Sequence, residues 1–256
     1  MAVYLGAGVG ATLKGSTLVL PTVSVGNVPQ LAVDLLINTL RARQIGTIDS
    51  PSLAPMSGRS GFDHQPTQRA VPLEVYQSAD AKWTIVQQRS MPLARHHRLF
   101  AQEMMDFIKQ QEFGRVVLLT SSDAAFRQDE LIDGPQIRSL AVNWSDDELA
   151  TRLKKLSLGS LAPATHAGSS PAQQLPVKQL YSSGIAKELL RLGQMSDVPI
   201  IALVALVYEG DNVPDAISMA TAANALLEID PAIKRWVPPH SWKWLMAPGS
   251  APSELF

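Results

Sequence analysis

The segment that follows an apolar strand at Leu18 to Leu20 constrains the fold most, because it encodes a helix that is apolar around most of its circumference. A tight turn at Gly26-Asn27 leads into this helix, and Pro29 suits its first turn. At 100° per residue, apolar side chains cover about two thirds of the helical wheel, whereas a helix lying on one sheet needs about one third. These side chains are Val28, Leu31, Ala32, Val33, Leu35, Leu36, Ile37 and Leu40, and the remaining polar stripe consists of Gln30, Asp34, Asn38 and Arg41. The helix therefore requires a second apolar partner, which is either another layer of this chain or another protein.

The composition is that of a globular protein, since 46% of the 256 residues are hydrophobic and 18% are charged. Lysine and arginine total 22 against 23 acidic residues, and the net charge is −1. Such a chain has no excess of positive charge that would attract the phosphate backbone of a nucleic acid, which argues against nucleic acid as its main partner. The absence of cysteine excludes disulfides, thiolate metal ligands and cysteine nucleophiles, and it suits a reducing compartment.

The sequence shows no pattern of a secretory signal or of a membrane span. Its N-terminal region has no basic segment followed by an apolar run. The longest apolar stretch, Val198 to Val207, is about half as long as a bilayer span requires. We therefore expect a soluble, intracellular protein that does not bind membranes.

Strands and helices are predicted to alternate along the chain. The predicted strands are residues 17–20, 45–48, 73–77, 83–89, 115–120 and 200–207, and the predicted helices are residues 28–41, 92–111, 145–156, 185–195 and 215–229. The strands at 115–120 and 200–207 are apolar throughout, which is typical of strands buried on both faces. The strands at 73–77 and 83–89 alternate apolar with polar residues, which predicts an antiparallel hairpin.

This order of elements predicts a single α/β domain over residues 1–256, built as a three-layer sandwich around a mixed, mostly parallel sheet. Residues 49–70 and 157–180 are rich in residues that favour turns and loops, so we expect two flexible loops there. We also expect a flexible C-terminal tail at residues 248–256.

Two segments could carry chemistry at strand ends, and each has a plainer structural interpretation. Ser24 to Asn27 joins a strand to a helix N-terminus that could bind a phosphate; alternatively, Asn27 caps the helix and Gly26 supplies an unusual backbone angle. The acids of Glu209 to Asp215 follow the most buried strand and could bind a metal or act as a general base, or could simply cap the last helix. The glycine-rich run at residues 6–11 fits the letters of a dinucleotide fingerprint, but no helical pattern follows it. We favour the structural roles and expect no cofactor and no metal.

The C-terminal region carries an unusual amount of aromatic surface. Trp236, Trp242 and Trp244 lie close together in the sequence, and the chain ends with Leu255-Phe256. Such surface near a terminus is costly to expose unless something covers it. The tryptophans could fold back onto the protein, whereas a tail with a hydrophobic end and a free carboxylate suits capture in a pocket of a partner.

Four blocks of the sequence resemble the proteasome assembly chaperone 2 family. They are LPTVSVGNVPQLAVDLLINTL at residues 20–40, Gly184-Ile185 at a helix start, EGDNVPDA at residues 209–216, and residues 241–256 with SWKWL and PSELF. The blocks occur in the same order and are spread over nearly the whole chain. The resemblance implies a Rossmann-like fold that is related in shape to nucleoside phosphorylases.

The resemblance also implies a non-catalytic chaperone of 20S proteasome assembly. Members of this family pair with proteasome assembly chaperone 1, and the heterodimer binds α-subunits, promotes α-ring formation and prevents off-pathway α-ring dimers in the cytoplasm and nucleus. Chaperones of this type insert C-terminal tails that end in a hydrophobic residue, a tyrosine and any residue. The present chain ends in Glu254-Leu255-Phe256 and lacks that tyrosine.

Six residues are expected to contact protein partners: Val33, Ile37, Trp242, Trp244, Leu255 and Phe256. The rival hypothesis is a nucleoside phosphorylase or hydrolase that binds phosphate at Ser24 to Asn27 and uses Asp211 or Asp215 as a base or ribose ligand. A third hypothesis is a homodimeric binding module with no link to the proteasome.

Overall fold

The structure, a computed structural model, describes residues 1–6, 12–126, 136–144, 147–156, 158–161 and 180–244. The helices are α1 (Val28–Thr39), α2 (His97–Gln110), α3 (Asp147–Lys155), α4 (Ala186–Met195) and α5 (Val213–Leu227). The strands are β1 (Ala2–Leu5), β2 (Thr17–Pro21), β3 (Arg43–Asp49), β4 (Gly58–Arg59), β5 (Arg69–Ala70), β6 (Leu73–Gln77), β7 (Trp83–Gln88), β8 (Arg115–Asp123), β9 (Ile137–Val142), β10 (Gly159–Ser160) and β11 (Ile200–Val207). Short 3-10 helices span Val25–Asn27, Ala124–Phe126 and His240–Trp244.

A mixed sheet runs through the centre of the protein in the order β1-β3-β6-β7-β2-β8-β11-β9-β10. The four central strands β7, β2, β8 and β11 are parallel. Strands β1, β3, β6 and β7 pair antiparallel on one side, and β9 pairs antiparallel with β11 on the other. The predicted mixed α/β sheet is confirmed, but it is less parallel than expected. The short turn between β6 and β7 can join only antiparallel strands, and the same pairing extends outward to β1.

Helices cover both faces of the sheet and complete the three predicted layers. α1 and α5 pack on one face, and α2 and α4 pack on the other. Successive β11 side chains alternate between these two cores: Ile201 and Leu203 face α1 and α5, whereas Ile200 and Ala202 face α2 and α4. Because both faces are covered, the strand is apolar throughout. None of the described helices combines the length and apolar character that a membrane span needs.

The second apolar partner of α1 is α5, which belongs to the same chain. Ala216, Ala220 and Ala223 of α5 are fully buried, and these small side chains let the two helices approach closely. Leu35 and Leu36 of α1 are likewise excluded from solvent. Of the two alternatives that the sequence left open for this helix, the structure selects an internal layer.

α2 begins at His97 and not at Pro92, because the residues before it bond to a different segment. Pro92 forms an isolated β-bridge with Leu53, and the Leu93 N–H donates to the Ser52 carbonyl at 2.9 Å. Arg95 then adopts a left-handed backbone conformation with φ of 67°, which interrupts any helix there.

The connection at residues 49–70 contains packed residues. Leu53 and Phe62 are 3% and 2% exposed, and the Phe62 ring packs edge-on against Tyr76 at a centroid distance of 5.5 Å. The composition of residues 49–70 suits an exposed loop, but these two side chains are buried; the flexibility of the segment stays a prediction. Most of the predicted loop at 157–180 and all of the predicted tail at 248–256 lie outside the described residues.

Candidate functional site

The carboxyl ends of the four parallel strands lie at one edge of the sheet, which is where open α/β sheets bind ligands. The segments that follow β2 and β11 pack directly against each other at this edge. Gly26 has a φ of 67°, and a Cβ atom built on it would lie 2.5 Å from Asn212 Oδ1. Two of the sequence blocks that carry the family resemblance, residues 20–40 and residues 209–216, therefore contact each other in the fold.

The Asn212 side chain forms hydrogen bonds with three residues in and next to the loop that follows β11. Its Nδ2 donates to the Tyr208 carbonyl at 2.9 Å and to Asp215 Oδ2 at 3.1 Å, and its Oδ1 accepts from the Gly210 N–H at 3.1 Å. The side chain is nearly buried, with 6% of the residue exposed. The Asn212 side chain therefore stabilises the conformation of this loop.

Asp211 and Asp215, which the rival hypothesis uses as a base or ribose ligand, both form hydrogen bonds with residues of this segment. Asp215 accepts from Asn212, and Asp211 Oδ1 accepts from the Val213 N–H at 3.3 Å. A depression of about 400 Å³ lies between the two segments and is lined by Gly26, Asn27, Leu31 and residues 210–213. Within the described ranges, no three histidine or acidic side chains are grouped so that they could hold a metal ion. Asn212 is the N-cap residue of α5 and Asp215 lies in its first turn, as the structural interpretation of the acidic loop requires, but the Asn212 side chain makes no capping bond.

We expect Gly26→Ala to lower the free energy of unfolding by about 2–3 kcal/mol, because it adds a left-handed strain and a collision with Asn212. Gly15→Ala is the matched control, since Gly15 has a similar φ of 75° and no atom within 4 Å of the added Cβ. The control should cost about 1 kcal/mol, from the backbone alone. Urea unfolding measures both, and equal losses would contradict the contact between the two loops.

Residues 181–184 fill the space above the strand ends. The Val25 N–H donates to the Ser182 carbonyl at 3.1 Å, and the Asp123 N–H donates to the Tyr181 carbonyl at 3.0 Å. Gly184 has a φ of 60°, and any side chain there would collide with the Val23 carbonyl oxygen. A residue without Cβ is therefore required at position 184, which explains the glycine in that sequence block.

Buried hydroxyl groups bond to one another beneath this segment. Ser24 Oγ lies 2.7 Å from Ser121 Oγ, and the Thr22 hydroxyl donates to Thr120 Oγ1 at 2.8 Å. The Thr120 hydroxyl also lies within 3.2 Å of the Ser183 carbonyl, to which it donates. These hydroxyl groups are therefore bonded within the protein beneath residues 181–184.

The predicted roles of Ser24, Gly26 and Asn27 have different outcomes. Ser24, a candidate phosphate ligand, bonds to Ser121 inside the protein. Gly26 supplies the unusual backbone angle that was predicted. The prediction that the Asn27 side chain caps the helix is wrong: Asn27 is the N-cap residue, but its φ of 51° is left-handed and its side chain makes no capping bond.

A buried ionic cluster joins α1 to the β6–β7 hairpin. Arg89 Nη1 lies 2.9 Å from Asp34 Oδ1, and Arg89 Nε lies 3.3 Å from Glu74 Oε2. Glu74 also accepts from the Tyr76 hydroxyl at 2.8 Å, and the Arg89 guanidinium lies 5.3 Å from the centroid of the Phe62 ring. One cation therefore lies between two carboxylates in a site from which water is largely excluded, so its charge balances only one of them.

The cluster shifts the pKa values of its members. Burial raises the pKa of Glu74 above its ordinary value, although the charge of Arg89 opposes this shift. Burial also raises the pKa of Tyr76, and the Glu74 carboxylate adds to the effect. Burial alone would lower the pKa of Arg89, but the charges of Asp34 and Glu74 outweigh it and raise that pKa. Arg89 therefore stays charged, and Glu74 is the member whose protonation the site favours.

We expect Glu74→Gln to change how stability depends on pH. The folded-state pKa of Glu74 lies above the unfolded value of 4.5, so the folded protein binds this proton more readily. Stability consequently falls as the pH rises from the unfolded pKa through the folded pKa. Glu74→Gln removes this fall, so the unfolding free energy of the variant minus that of the wild type should increase from pH 4.5 towards neutrality.

Urea unfolding at a series of pH values tests this expectation. Asp80→Asn is a suitable control, because a hydrogen bond from Ser78 lowers the pKa of the exposed Asp80 and places its titration below the tested range. A pH-independent difference between Glu74→Gln and the wild type would contradict the raised pKa.

The C-terminal segment, residues 236–244, crosses the α1–α5 layer and binds the polar stripe of α1. Asn38 Nδ2 donates to the Val237 carbonyl at 3.0 Å, and the Val237 N–H donates to Thr39 Oγ1 at 3.0 Å. Trp242 Nε1 donates to Asp34 Oδ2 at 3.2 Å. The tryptophan therefore joins the ionic cluster. The chain itself covers Asp34 and Asn38 of the polar stripe, whereas Arg41 remains exposed.

The structure places three of the six expected partner contacts inside the protomer. Val33 and Ile37 are 0% exposed and Trp242 is 2% exposed, so the folded chain offers no free surface at these positions. A partner would reach them only after α5 or the C-terminal segment had moved away. The side chain of Trp244, and all of Leu255 and Phe256, lie outside the described residues. The role of these six residues as partner contacts stays a prediction.

Sequence reasoning missed Glu74 and Arg89, although the predicted hairpin contained a signal. Every residue of β6 is buried, and a buried carboxylate needs a cation nearby. Glu74 is opposite Gln87 in the hairpin register, so Arg89 is its diagonal neighbour on the same face of the sheet. The register, which the turn specifies, would have identified the pair.

Comparison with known proteins gives a consistent result over most of the chain. The sequence model of the PAC2 family matches residues 18–232. A protein of Danio rerio named Proteasome assembly chaperone 2 is 32% identical over 251 residues, which cover 94% of this chain and 95% of that protein. Proteins of the same name from Nematostella vectensis and Homo sapiens are 34% and 29% identical, covering 84% and 94% of this chain and 91% and 95% of those proteins.

Solved structures show the same fold at lower sequence identity. Pyrococcus furiosus PbaA, described as an archaeal homolog of proteasome-assembly chaperone, superposes with a TM-score of 0.62 at 17% identity, covering 91% of this chain and 89% of that one. Pyrococcus furiosus PbaB, described as an archaeal proteasome activator, superposes with a TM-score of 0.59 at 17% identity, covering 90% and 89%. The match of the family model over residues 18–232, which is most of the chain, shows that this protein belongs to the PAC2 family.

Proposed function

We propose that this protein is a non-catalytic chaperone of 20S proteasome assembly. The observation that carries the proposal is its similarity, over nearly the full length of both chains, to proteins named Proteasome assembly chaperone 2. The similarity includes no large unmatched region that would hold a separate activity, since about 94% of this chain is covered.

The strand-end edge of the sheet supports a non-catalytic role. Residues 181 and 182 bond to Asp123 at the end of β8 and to Val25 after β2, near the strand ends at which an enzyme of this architecture binds its substrate. Ser24, Asp211 and Asp215, which the phosphorylase hypothesis requires, all bond to neighbouring groups of the protein. Ser24 is buried, so a substrate would have to break its bond to Ser121 before this hydroxyl became available for catalysis.

The proposed mechanism is mass action on assembly intermediates. The chain pairs with proteasome assembly chaperone 1, and the heterodimer binds the surfaces of free α-subunits, favours α-ring formation and prevents α-ring dimers in the cytoplasm and nucleus. A protein that binds only the immature species stabilises it by an amount set by its concentration and affinity. Release follows when competing contacts cover the same surfaces.

The C-terminal residues Leu255 and Phe256 are the proposed contacts to the α-ring, and Trp244 is a further proposed partner contact. Deleting Glu254 to Phe256 should weaken α-ring binding at least about tenfold, the effect of losing roughly 1.4 kcal/mol of contact energy. The melting temperature of the free protein should not change. An unchanged affinity would remove the tail from the mechanism.

A pull-down from a cell extract, followed by mass spectrometry, tests the function as a whole. We expect recovery of a sibling chaperone together with α-type subunits and few mature β-type subunits. A thermal-shift screen with phosphate, ribose-1-phosphate and purine nucleosides tests the rival. Saturable stabilisation by any of these ligands, without α-subunits in the pull-down, would favour the enzyme and contradict the proposal.

A further inference from the structure

Strand β1 lies at one edge of the central sheet, and no other described strand pairs with its outer side. On its inner side it pairs antiparallel with β3. The Gly6 N–H donates to the Ile45 carbonyl at 2.7 Å, which fixes the alternation along this pair: the backbone groups of Tyr4, like those of Gly6, point towards β3. The N–H and C=O groups of Val3 and Leu5 therefore point outward.

The outward backbone groups of Val3 and Leu5 form the start of a further ladder. No hydrogen bond of the described residues reaches these groups. Each of the two residues offers one donor and one acceptor on the same side, and an antiparallel strand exchanges both bonds with such a residue. A helix has its backbone groups bonded within itself and cannot do so. The pattern of donors and acceptors thus specifies an extended polypeptide as the ligand of this edge.

β1 also lacks the side chains that usually protect an exposed edge from pairing. Such edges are protected by charged residues, by proline or by a bulge in the strand. β1 contains no charged residue and no proline, and its register with β3 is unbroken. Its side chains are instead apolar and exposed, since Tyr4 and Leu5 are 59% and 40% exposed. An open, apolar edge of this kind is typical of a strand that pairs with another chain.

The two faces of β1 differ, which restricts the side chains of an added strand. Val3 packs against the core beneath α2 and α4, and Leu5 lies on the same face because side chains alternate along a strand. Side chains opposite these two residues would extend the apolar face, to which β-branched residues are well suited. We propose that β1 binds an extended segment of another protein as an antiparallel strand whose apolar, β-branched side chains face Val3 and Leu5. This binding mode does not depend on the proposed role in proteasome assembly.

A blocked peptide, acetyl-Lys-Thr-Val-Thr-Val-Thr-Lys-amide, tests the proposal with the full chain and without any proteasome component. Its two valines should lie opposite Val3 and Leu5, where their side chains share the apolar face and their N–H groups point to β1. We expect saturable binding that slows amide hydrogen exchange of Val3 and Leu5 at least about tenfold, because both amides become hydrogen-bonded. The Tyr4 amide already points to β3, so its exchange should change less.

Methylated forms of the peptide separate strand pairing from apolar contact. Methylating the two valine nitrogens removes the donors that face β1 and should weaken binding at least about tenfold. Methylating two of the threonine nitrogens removes donors that point away from β1 and should leave the affinity nearly unchanged. Equal effects of the two methylations would overturn the proposal.

Leu5→Pro makes the same test on the protein, since proline lacks the outward N–H. It should weaken peptide binding at least about tenfold, whereas the control Leu5→Thr keeps that N–H, suits a strand and should bind like the wild type. Thermal melting curves confirm that both variants are folded. The absence of saturable binding below about 10 mM peptide overturns the proposal. So does protection of Val3 and Leu5 in the free protein that rises with protein concentration, because it would assign the edge to a second copy.

Discussion

Replacing Arg89 by Met is expected to lower the free energy of unfolding by about 3–5 kcal/mol, which is the usual cost of removing one partner from a buried ion pair. The Asp34 and Glu74 carboxylates would remain buried beside each other without their cation. They cannot reach water easily, because both residues are at least 95% buried in the fold. Equilibrium unfolding in urea measures the loss.

Lys82→Met is the matched control for this variant. Lys82 also pairs with an aspartate, Asp80, at 3.4 Å, but both side chains are largely exposed. Exposed pairs contribute about 0–1 kcal/mol, so this variant should be nearly as stable as the wild type. Adding Asp34→Asn to Arg89→Met should recover part of the loss, since it removes one unpaired charge. Equal stability of the Arg89→Met and Lys82→Met variants would contradict the buried cluster.

Trp242→Ala is expected to lower the free energy of unfolding by about 3–5 kcal/mol, the range for removing a large buried aromatic side chain. The indole lies in the core formed by α1 and α5, and its Nε1 donates to Asp34 Oδ2. Its loss would leave a cavity and would take one hydrogen bond from the ionic cluster. The prediction assigns Trp242 a role in the free protomer, before any partner binds.

Two further variants separate packing from hydrogen bonding at this position. Trp242→Phe keeps most of the apolar contact and loses the bond to Asp34, so it should cost less than the alanine variant. Val237→Ala alters a half-exposed side chain in the same segment and should change stability by no more than about 0.5 kcal/mol. If Trp242→Ala left the stability of the free protein unchanged, the residue would instead be available for a partner.

The elements of the fold could be predicted where local pattern decides them. β11 was predicted with its observed bounds, Ile200–Val207, because an unbroken apolar run between turn residues is typical of a buried central strand. The β6–β7 hairpin was predicted from alternation and a turn. β1 and β9 were missed: β1 has only four residues, and the antiparallel pairing of both strands depends on partners far away in the sequence.

The site was harder to predict because its contacts join residues far apart in the sequence. Gly26 and Asn212 each belong to a recognisable loop, yet nothing local shows that one glycine leaves room for the other side chain. Asp34 looks like a surface residue on a helical wheel, and it is buried because Arg89, Gln87 and Trp242 all donate to it. Burial of a charge depends on such partners, which local periodicity does not encode.

The sequence by itself determined that the helix after Pro29 must be covered on more than one side, because so many apolar side chains surround it. Only the tertiary structure decided what covers it: the small side chains of α5 on one side and the C-terminal segment on its polar stripe. The physical reason is that periodicity reports how much surface an element must bury. Which surface meets it depends on shape and charge complementarity between segments that are brought together only by folding.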